Sequence, residues 1–281
     1  VIFSQLIRAD FLSSFFSNEI PRVASLRNMV DEEYIYSHGR LLGSVISRVH
    51  LFALKKIETV VAMSDGMRKR VLELGVTNVA LIPNGLDTDI IDADLACCQP
   101  RNMTLVRVPR IIIVGSLTPR KQVREALVAL WELHVEETFF DITIVGSGPE
   151  EDSIIRFLDG TNSDFRSRVS ILGYITNVSC QLNQSDIFLM NSFSEGVSRA
   201  LMEAMYLRLI VVVRKNDGSN ELVDDTVNGY LFESTKHMKA LLKAYSLTNV
   251  EFIPSELPQD FTMETNAQSY KELLGDLLRL G

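Results

Sequence analysis

The pattern of apolar positions changes character along the chain. Between residues 109 and 246 one unit repeats: a short, nearly unbroken apolar run, then a segment with apolar residues every three or four positions. The runs fall at 110–116, 140–148, 169–173, 186–192, 209–213 and 228–232, and predict strands. The segments between and after them predict helices at 121–136, 150–159, 176–184, 197–207, 219–224 and 235–246. Strands apolar on both faces, alternating with helices, indicate a parallel sheet covered on both sides. The first part of the chain follows the same scheme less regularly. A strand end and helix are expected over 1–16, strands at 20–26, 57–64 and 78–85, and helix over 30–57 with breaks near Gly39 and Gly43. Ser64 and Asp65 sit where helix N-cap residues belong, and Gly75 suits the far end of that helix.

Residues 86–108 lose this periodicity and contain Pro100, so the chain is expected to divide there, with a linker at 96–108. The expected domains are a first lobe over 1–95 and a second over 109–264. Residues 248–262, with Pro254 and Pro258, are irregular again. A last helix over about 265–280 carries Tyr270, Leu273, Leu274, Leu277 and Leu278 on one face. Such a face must pack on something, and the segment 265–281 is expected to cross back to the first lobe.

Length and charge narrow the function classes. A chain of 281 residues holds one large or two modest domains. With 28 basic and 36 acidic residues its formal charge is −8, which argues against nucleic acid as a partner. No charge-free apolar run reaches the roughly 18 residues a membrane span needs. Cys97, Cys98 and Cys180 are odd in number and lack metal-ligand spacing, which favours a reduced, cytoplasmic setting and no metal. One segment runs against the acidic balance. Residues 37–57 contain Arg40, Arg48, Lys55 and Lys56 and no acid, with apolar residues at 41, 42, 45, 46, 49 and 52. Two readings stand open: a core-packed helix with a basic outer face, or a helix lying on an anionic membrane surface.

Ligands of open parallel sheets bind beyond the carboxyl ends of the strands, which directs attention to four loops. In the first, Gly115-Ser116 precedes Arg120-Lys121, and a cation there could offset charge on a leaving diphosphate. In the second, Gly146 and Gly148 allow close approach to the backbone, by a ligand or simply by a tight turn. In the third, Glu195 and Glu203 are eight residues apart, a little over two helical turns, which places them on a similar face. A carboxylate among Ala200, Leu201, Met202, Ala204 and Met205 needs partners, and sugar or ribose hydroxyls would serve. The amides of Gly196, Val197 and Ser198, at the expected helix start, could receive a phosphate. The plainer alternative is one capping acid and one surface acid. The fourth loop, Gly218 to Glu221, offers Glu221, which reads equally as a first-turn helix acid.

Taken in order, VVAMS at 60–64, IPNGLD at 82–87, IIIVGSLTPRK at 111–121, ITIVGSGPEE at 143–151, DIFLMNSFSEGVSRALMEAM at 186–205 and GSNELVDDTVNGYLF at 218–232 resemble the retaining GT-B glycosyltransferases of family 4, the glycogen-synthase-like group 1 enzymes. The resemblance implies an α/β GT-B fold of two Rossmann-like lobes with parallel sheets. VIFSQLIRADF resembles a strand–helix unit from later in the family's first lobe, so that lobe is expected to be incomplete. Glu195 and Glu203 match the family's paired glutamates. Glu203 would hold the ribose hydroxyls, Glu195 would lie by the donor sugar and phosphate, and Lys121 would contact the diphosphate; Glu195 and Lys121 are the catalytic candidates. Gly115, Ser116, Arg120, Gly146, Gly148, Gly196, Val197 and Ser198 would complete the donor site, while Arg27 and Asn84 would face the acceptor. The sequence departs from the family at Ser116, often arginine; at Gln122, usually glycine; and at Arg208-Leu209-Ile210, where the family has Gly-x-Pro.

The implied activity is transfer of a hexose or N-acetylhexosamine from a UDP- or GDP-sugar, without a required cofactor or metal, to a glycan or lipid-linked glycan in cell-surface polysaccharide or lipopolysaccharide synthesis. The implied place is the cytoplasm, with peripheral contact to the inner face of the membrane through residues 37–57. Two other readings remain: a nucleotide-sugar-binding remnant or partner protein without turnover, and a non-hydrolysing UDP-sugar epimerase.

Overall fold

The computed structural model describes residues 1–16, 20–99, 108–247 and 253–279. In chain order the first elements are β1 (Ile2–Gln5), α1 (Leu6–Ser13), β2 (Arg22–Ser25), α2 (Val30–His38), α3 (Arg40–Leu54), β3 (Thr59–Ala62), α4 (Asp65–Glu73) and β4 (Val79–Leu81). The four strands form a parallel sheet in the order β1-β2-β3-β4. Every residue of β2 and β3 is buried, as strands covered on both faces require. The Ser64 side chain accepts from the Met67 amide at 3.0 Å and caps α4. Gly39, at φ +78°, separates α2 from α3. Gly43 is no break. A Cβ there would lie inside the Tyr34 carbonyl, so its missing side chain lets α3 pack on α2.

The chain continues with α5 (Thr88–Ala96), β5 (Arg110–Val114), α6 (Val123–Val135), β6 (Asp141–Val145), α7 (Glu151–Asp159), α8 (Ser163–Ser167), β7 (Val169–Ile171), α9 (Val178–Asn183), β8 (Ile187–Met190), α10 (Arg199–Tyr206), β9 (Ile210–Arg214), α11 (Asp217–Leu222), β10 (Tyr230–Phe232) and α12 (Thr235–Leu247), and ends in α13 (Met263–Arg279). Strands β5 to β10 form a second parallel sheet, ordered β10-β9-β8-β5-β6-β7. Its core joins Ile111, Ile142, Ile144, Ile187 and Leu189 of the strands to Leu127, Leu130, Leu133 and Ile154 of the helices.

Two compact units result. The first comprises residues 1–86, 194–197 and 258–281, and the second residues 87–193 and 198–257. Helix α13 belongs to the first, where Tyr270, Leu273, Leu274 and Leu277 pack against Val23, Val61 and Ile82. Leu278, counted on that face in the sequence, is exposed.

Two sequence expectations are corrected. The stretch from 86 is not irregular throughout: Asp87 accepts from the Ile90 amide and opens α5. The expected linker at 96–108 lies mostly outside the described residues. The cysteines are not all free, because Cys98 and Cys180 form a disulfide between residues 82 apart, leaving Cys97 as a thiol. Helix α3 bears on the two readings left open for residues 37–57. It buries Gly43, Ser47, His50, Ala53 and Leu54, and turns Leu41, Leu42, Val45, Val49 and Phe52 outward. Leu41, Leu42, Val45, Val49 and Phe52 therefore face away from the core, while Leu54 enters it.

Both sites where the resemblance expects glycine hold a left-handed backbone. Gln122 lies at φ +51° and Arg208 at φ +57°. An L side chain is disfavoured there, and the Arg208–Glu256 ion pair, exposed at both ends, returns little. Arg208→Gly is expected to stabilise the chain by up to about 1 kcal/mol, a Tm rise of roughly 2–4 °C. Thermal unfolding checks this, and a lower Tm would contradict it.

Candidate functional site

Chain order places the site in the second unit. From β5 the chain moves out to β6 and β7, then returns to lay β8 on the opposite side of β5. The strand order reverses between β5 and β8. In parallel sheets the loops at such a point diverge to opposite faces and leave a crevice beyond the carboxyl ends, where ligands bind. Here those loops are residues 115–122 and, within the second unit, 191–193. The four-stranded sheet runs in simple order and has no such reversal.

The first loop brings Lys121 back over the end of β5. A turn at Pro119–Lys121 is closed by the Lys121 amide donating to the Thr118 carbonyl at 2.9 Å. A Cβ built on Gly115 would sit 3.4 Å from Lys121 Cε and 3.5 Å from Nζ, so the lysine lies across the glycine. Ser116 is exposed, and Arg120 and Lys121 are half-buried.

The glycines of the second loop have a structural explanation. A Cβ on Gly146 would overlap the Gly115 carbonyl, and one on Gly148 would overlap that of Leu117. The Leu117 amide donates to Ser147 O at 2.9 Å, and the Glu150 amide to Leu117 O at 3.0 Å. Gly146 and Gly148 thus let two loops touch backbone to backbone and hold the lysine turn in place.

The two glutamates differ in setting. Helix α10 starts at Arg199, capped by Ser198, so Glu195 is not on the helix. The expectation of a shared helical face is corrected, because the helical turn does not reach back to Glu195. Both are buried, at 7% exposure for Glu195 and 8% for Glu203. Glu203 Oε1 accepts from Arg199 Nε at 2.9 Å, one turn away. Burial pushes its carboxyl above the usual range; the Arg199 charge and hydrogen bond oppose this, and Asp94 reinforces it.

Asn191, Arg214 and Gln122 form a network not anticipated from sequence. Asn191 Nδ2 donates to Gln122 O at 3.0 Å, and Arg214 Nε donates to Asn191 Oδ1, also at 3.0 Å. Burial lowers the affinity of Arg214 for its proton, and its guanidinium lies 5.0 Å from the Phe193 ring centroid. This ties the residue after Lys121 to the ends of β8 and β9. The signal was present as polar residues closing two apolar runs.

In the first unit, Arg27 and Asn84 meet: Arg27 Nη1 donates to Asn84 Oδ1 at 2.8 Å, and Asn84 Nδ2 to Val197 O at 3.3 Å. A Cβ on Gly196 would press on the Arg27 carbonyl, which accounts for that glycine. Among the described residues no group of three or more His, Cys, Asp or Glu could hold a metal, and no helix is long and apolar enough to cross a membrane.

Residues 108–246, the sheet that carries the reversal, match the family model described as Glycosyl transferases group 1. That stretch is similar to the group 1 glycosyltransferases, and the two-lobed α/β fold with parallel sheets is of the GT-B type. The chain is similar to the amylovoran biosynthesis glycosyltransferase AmsK of Erwinia amylovora, 29% identical over 61% of this chain and 45% of that protein. It is also similar to an Escherichia coli UDP-Gal:alpha-D-GlcNAc-diphosphoundecaprenol alpha-1,3-galactosyltransferase, 28% identical over 55% of this chain and 41% of that protein. The matched stretch thus spans less than half the length of either relative. Among solved structures, Anabaena HepE in complex with UDP superposes with a TM-score of 0.78 at 18% identity, covering 98% of this chain and 79% of that one.

Proposed function

We propose that this chain is a retaining glycosyltransferase that moves a hexose or N-acetylhexosamine from a UDP- or GDP-sugar to a glycan or lipid-linked glycan. The observation that carries the reading is the coincidence of the β5/β8 reversal with a lysine folded over the glycine at the end of β5. Lys121 meets the diphosphate and offsets the charge that grows as the glycosidic bond breaks. Gly115, Ser116 and Arg120 share its loop. Gly146 and Gly148 hold that loop from behind. Glu203 accepts hydrogen bonds from the ribose hydroxyls, and Glu195, with Gly196, Val197 and Ser198, attends the sugar and phosphate. Arg27 and Asn84 serve the acceptor. The polysaccharide-building relatives, and the UDP held by HepE, support the donor and acceptor classes.

Calorimetric titration with UDP, GDP and their sugars, followed by transfer assays on lipid-linked glycans, tests this. Binding of one nucleoside diphosphate without metal is expected. Absence of binding to both at millimolar concentration would remove the reading, and donor binding without transfer would leave a nucleotide-sugar-binding protein.

The outward face of α3 supports peripheral membrane contact through residues 37–57. Leu41 is 90% exposed, and Leu42, Val45, Val49 and Phe52 line the same helix. Arg40, Arg48, Lys55 and Lys56 accompany them with no acid from 37 to 57, in a chain of net charge −8. Lys56 Nζ sits 4.4 Å from the Phe52 ring centroid and 5.4 Å from that of Phe15, which joins the exposed Leu12, Phe15 and Phe16 to this face. Apolar residues mixed with unopposed cations complement an anionic bilayer surface. Sedimentation with phosphatidylglycerol vesicles is expected, and little with phosphatidylcholine alone. Arg48→Gln should weaken the former about fivefold. Equal partition to both lipids would overturn the contact.

A further inference from the structure

A cavity of about 480 Å³ opens at the carboxyl ends of β1 and β2 in the first unit. Leu6 and Val30 supply apolar wall, Arg27 and Asn28 lie on the β2 side, and Tyr34 and His50 complete the lining. The volume falls within the range of small-molecule sites. Leu6 is held at φ +71°, a rare conformation for leucine, and stays exposed at this wall.

Behind the cavity runs a chain of three polar side chains. Asp10 is 0% exposed and His50 4%. His50 Nε2 lies 2.8 Å from Asp10 Oδ2, and Tyr34 Oη lies 2.9 Å from His50 Nδ1. Three elements contribute, Asp10 from α1, Tyr34 from α2 and His50 from α3. A buried carboxylate accepts only, so the imidazole turns Nε2–H toward Asp10. In the neutral ring Nδ1 then accepts, and the Tyr34 hydroxyl donates to it. Burial, with the charges of Asp10 and Glu33, pushes the Tyr34 phenol up to about 12, so the proton remains on oxygen. With the ring neutral, every donor points inward toward Asp10, and Tyr34 turns the lone pairs of its oxygen outward.

We propose that this chain makes Tyr34 the contact for a hydroxyl of a sugar unit bound in the cavity, with Asp10 and His50 as positioning residues. The inference rests on the transferase reading for the identity of the sugar as part of an acceptor. A pyranose fits both halves of the lining. Its C–H face can lie on Leu6 and Val30, and its hydroxyls donate where Tyr34 accepts. Arg27 lines the same cavity, so the proposal extends the acceptor side to residues that no motif marks.

The probes are methyl glycosides of glucose, galactose and N-acetylglucosamine, titrated by ligand-observed NMR, with UDP titrated in parallel. At least one glycoside is expected to bind. Tyr34→Phe, which keeps Asp10 and His50 paired, should weaken it five- to tenfold with Tm nearly unchanged. The deoxyfluoro analogue at the contacting hydroxyl cannot donate and should bind more weakly than its parent. Asp10→Asn can donate to Nε2, turn the imidazole proton to Nδ1 and reverse Tyr34, so it should erase that preference. A purely structural role would leave the preference intact. No binding by any of the three glycosides, or equal binding by Tyr34→Phe, would overturn the proposal. Loss of UDP binding with glycoside binding intact would strike the donor reading alone.

Discussion

Lys121→Ala is expected to slow sugar transfer by about 100- to 1000-fold, the usual cost of removing one preorganised group that meets developing charge. The expectation follows from where the side chain is held. Its ammonium lies across Gly115 at the end of β5, beside the reversal in strand order. It is kept there by a turn whose next residue, Gln122, is bound through its carbonyl to Asn191, which Arg214 orients in turn. In the ground state a diphosphate already carries charge, so some donor affinity should also be lost. The added charge on the leaving group is greater, so the rate should fall further than the affinity. Lys121→Arg keeps the charge but not the shape, and should recover affinity better than rate. Single-turnover transfer and donor titration on the same variants separate these effects. Equal losses in both would make Lys121 a binding residue only.

The fold of the second unit was readable because its strands are apolar on both faces and its helices are not. The positions of its loops followed directly. The reading failed where side-chain pattern and backbone need diverge. DTDIIDADL looks irregular because acids interrupt its apolar residues, yet Asp87 caps it and it is helical. Residues 41–52 read equally as a core face or an outer face, and α3 packs through Gly43, Ser47 and Ala53 and turns Leu41, Leu42, Val45, Val49 and Phe52 outward. A helix packed closely on another uses small residues, and that periodicity was masked by the apolar one beside it.

The candidate site shows the same division. Glycines at strand ends drew attention as possible ligand contacts. Gly146, Gly148 and Gly196 turn out to be explained by backbones that approach them. A side chain at any of them would push the loops apart. What no spacing rule could reveal is the set of bonds between distant residues, such as Asn191 with Arg214 or Asp10 with His50. These partners are brought together only by strand order and helix packing.

The second large effect is expected at Glu203. Replacement by alanine should weaken nucleoside diphosphate binding by roughly 10- to 100-fold, the range for a charge-assisted hydrogen-bond acceptor. Its burial raises the carboxyl's pKa despite Arg199, so the fold bears a cost for keeping the group ionised. For an acid whose folded pKa is raised, that cost is present above the folded pKa. It is relieved as pH falls through that value. Glu203→Gln removes the charge while retaining the shape, so it should leave Tm at neutral pH unchanged or slightly higher and flatten its dependence on pH between the unfolded and folded values. The same variant should bind donor worse, because a neutral amide accepts more weakly from ribose hydroxyls. A group that weakens the fold and strengthens binding is what a site residue should be. Calorimetry with UDP and thermal unfolding of both variants decide the matter. Unchanged UDP affinity in Glu203→Ala would assign the carboxylate to α10 and Arg199 alone.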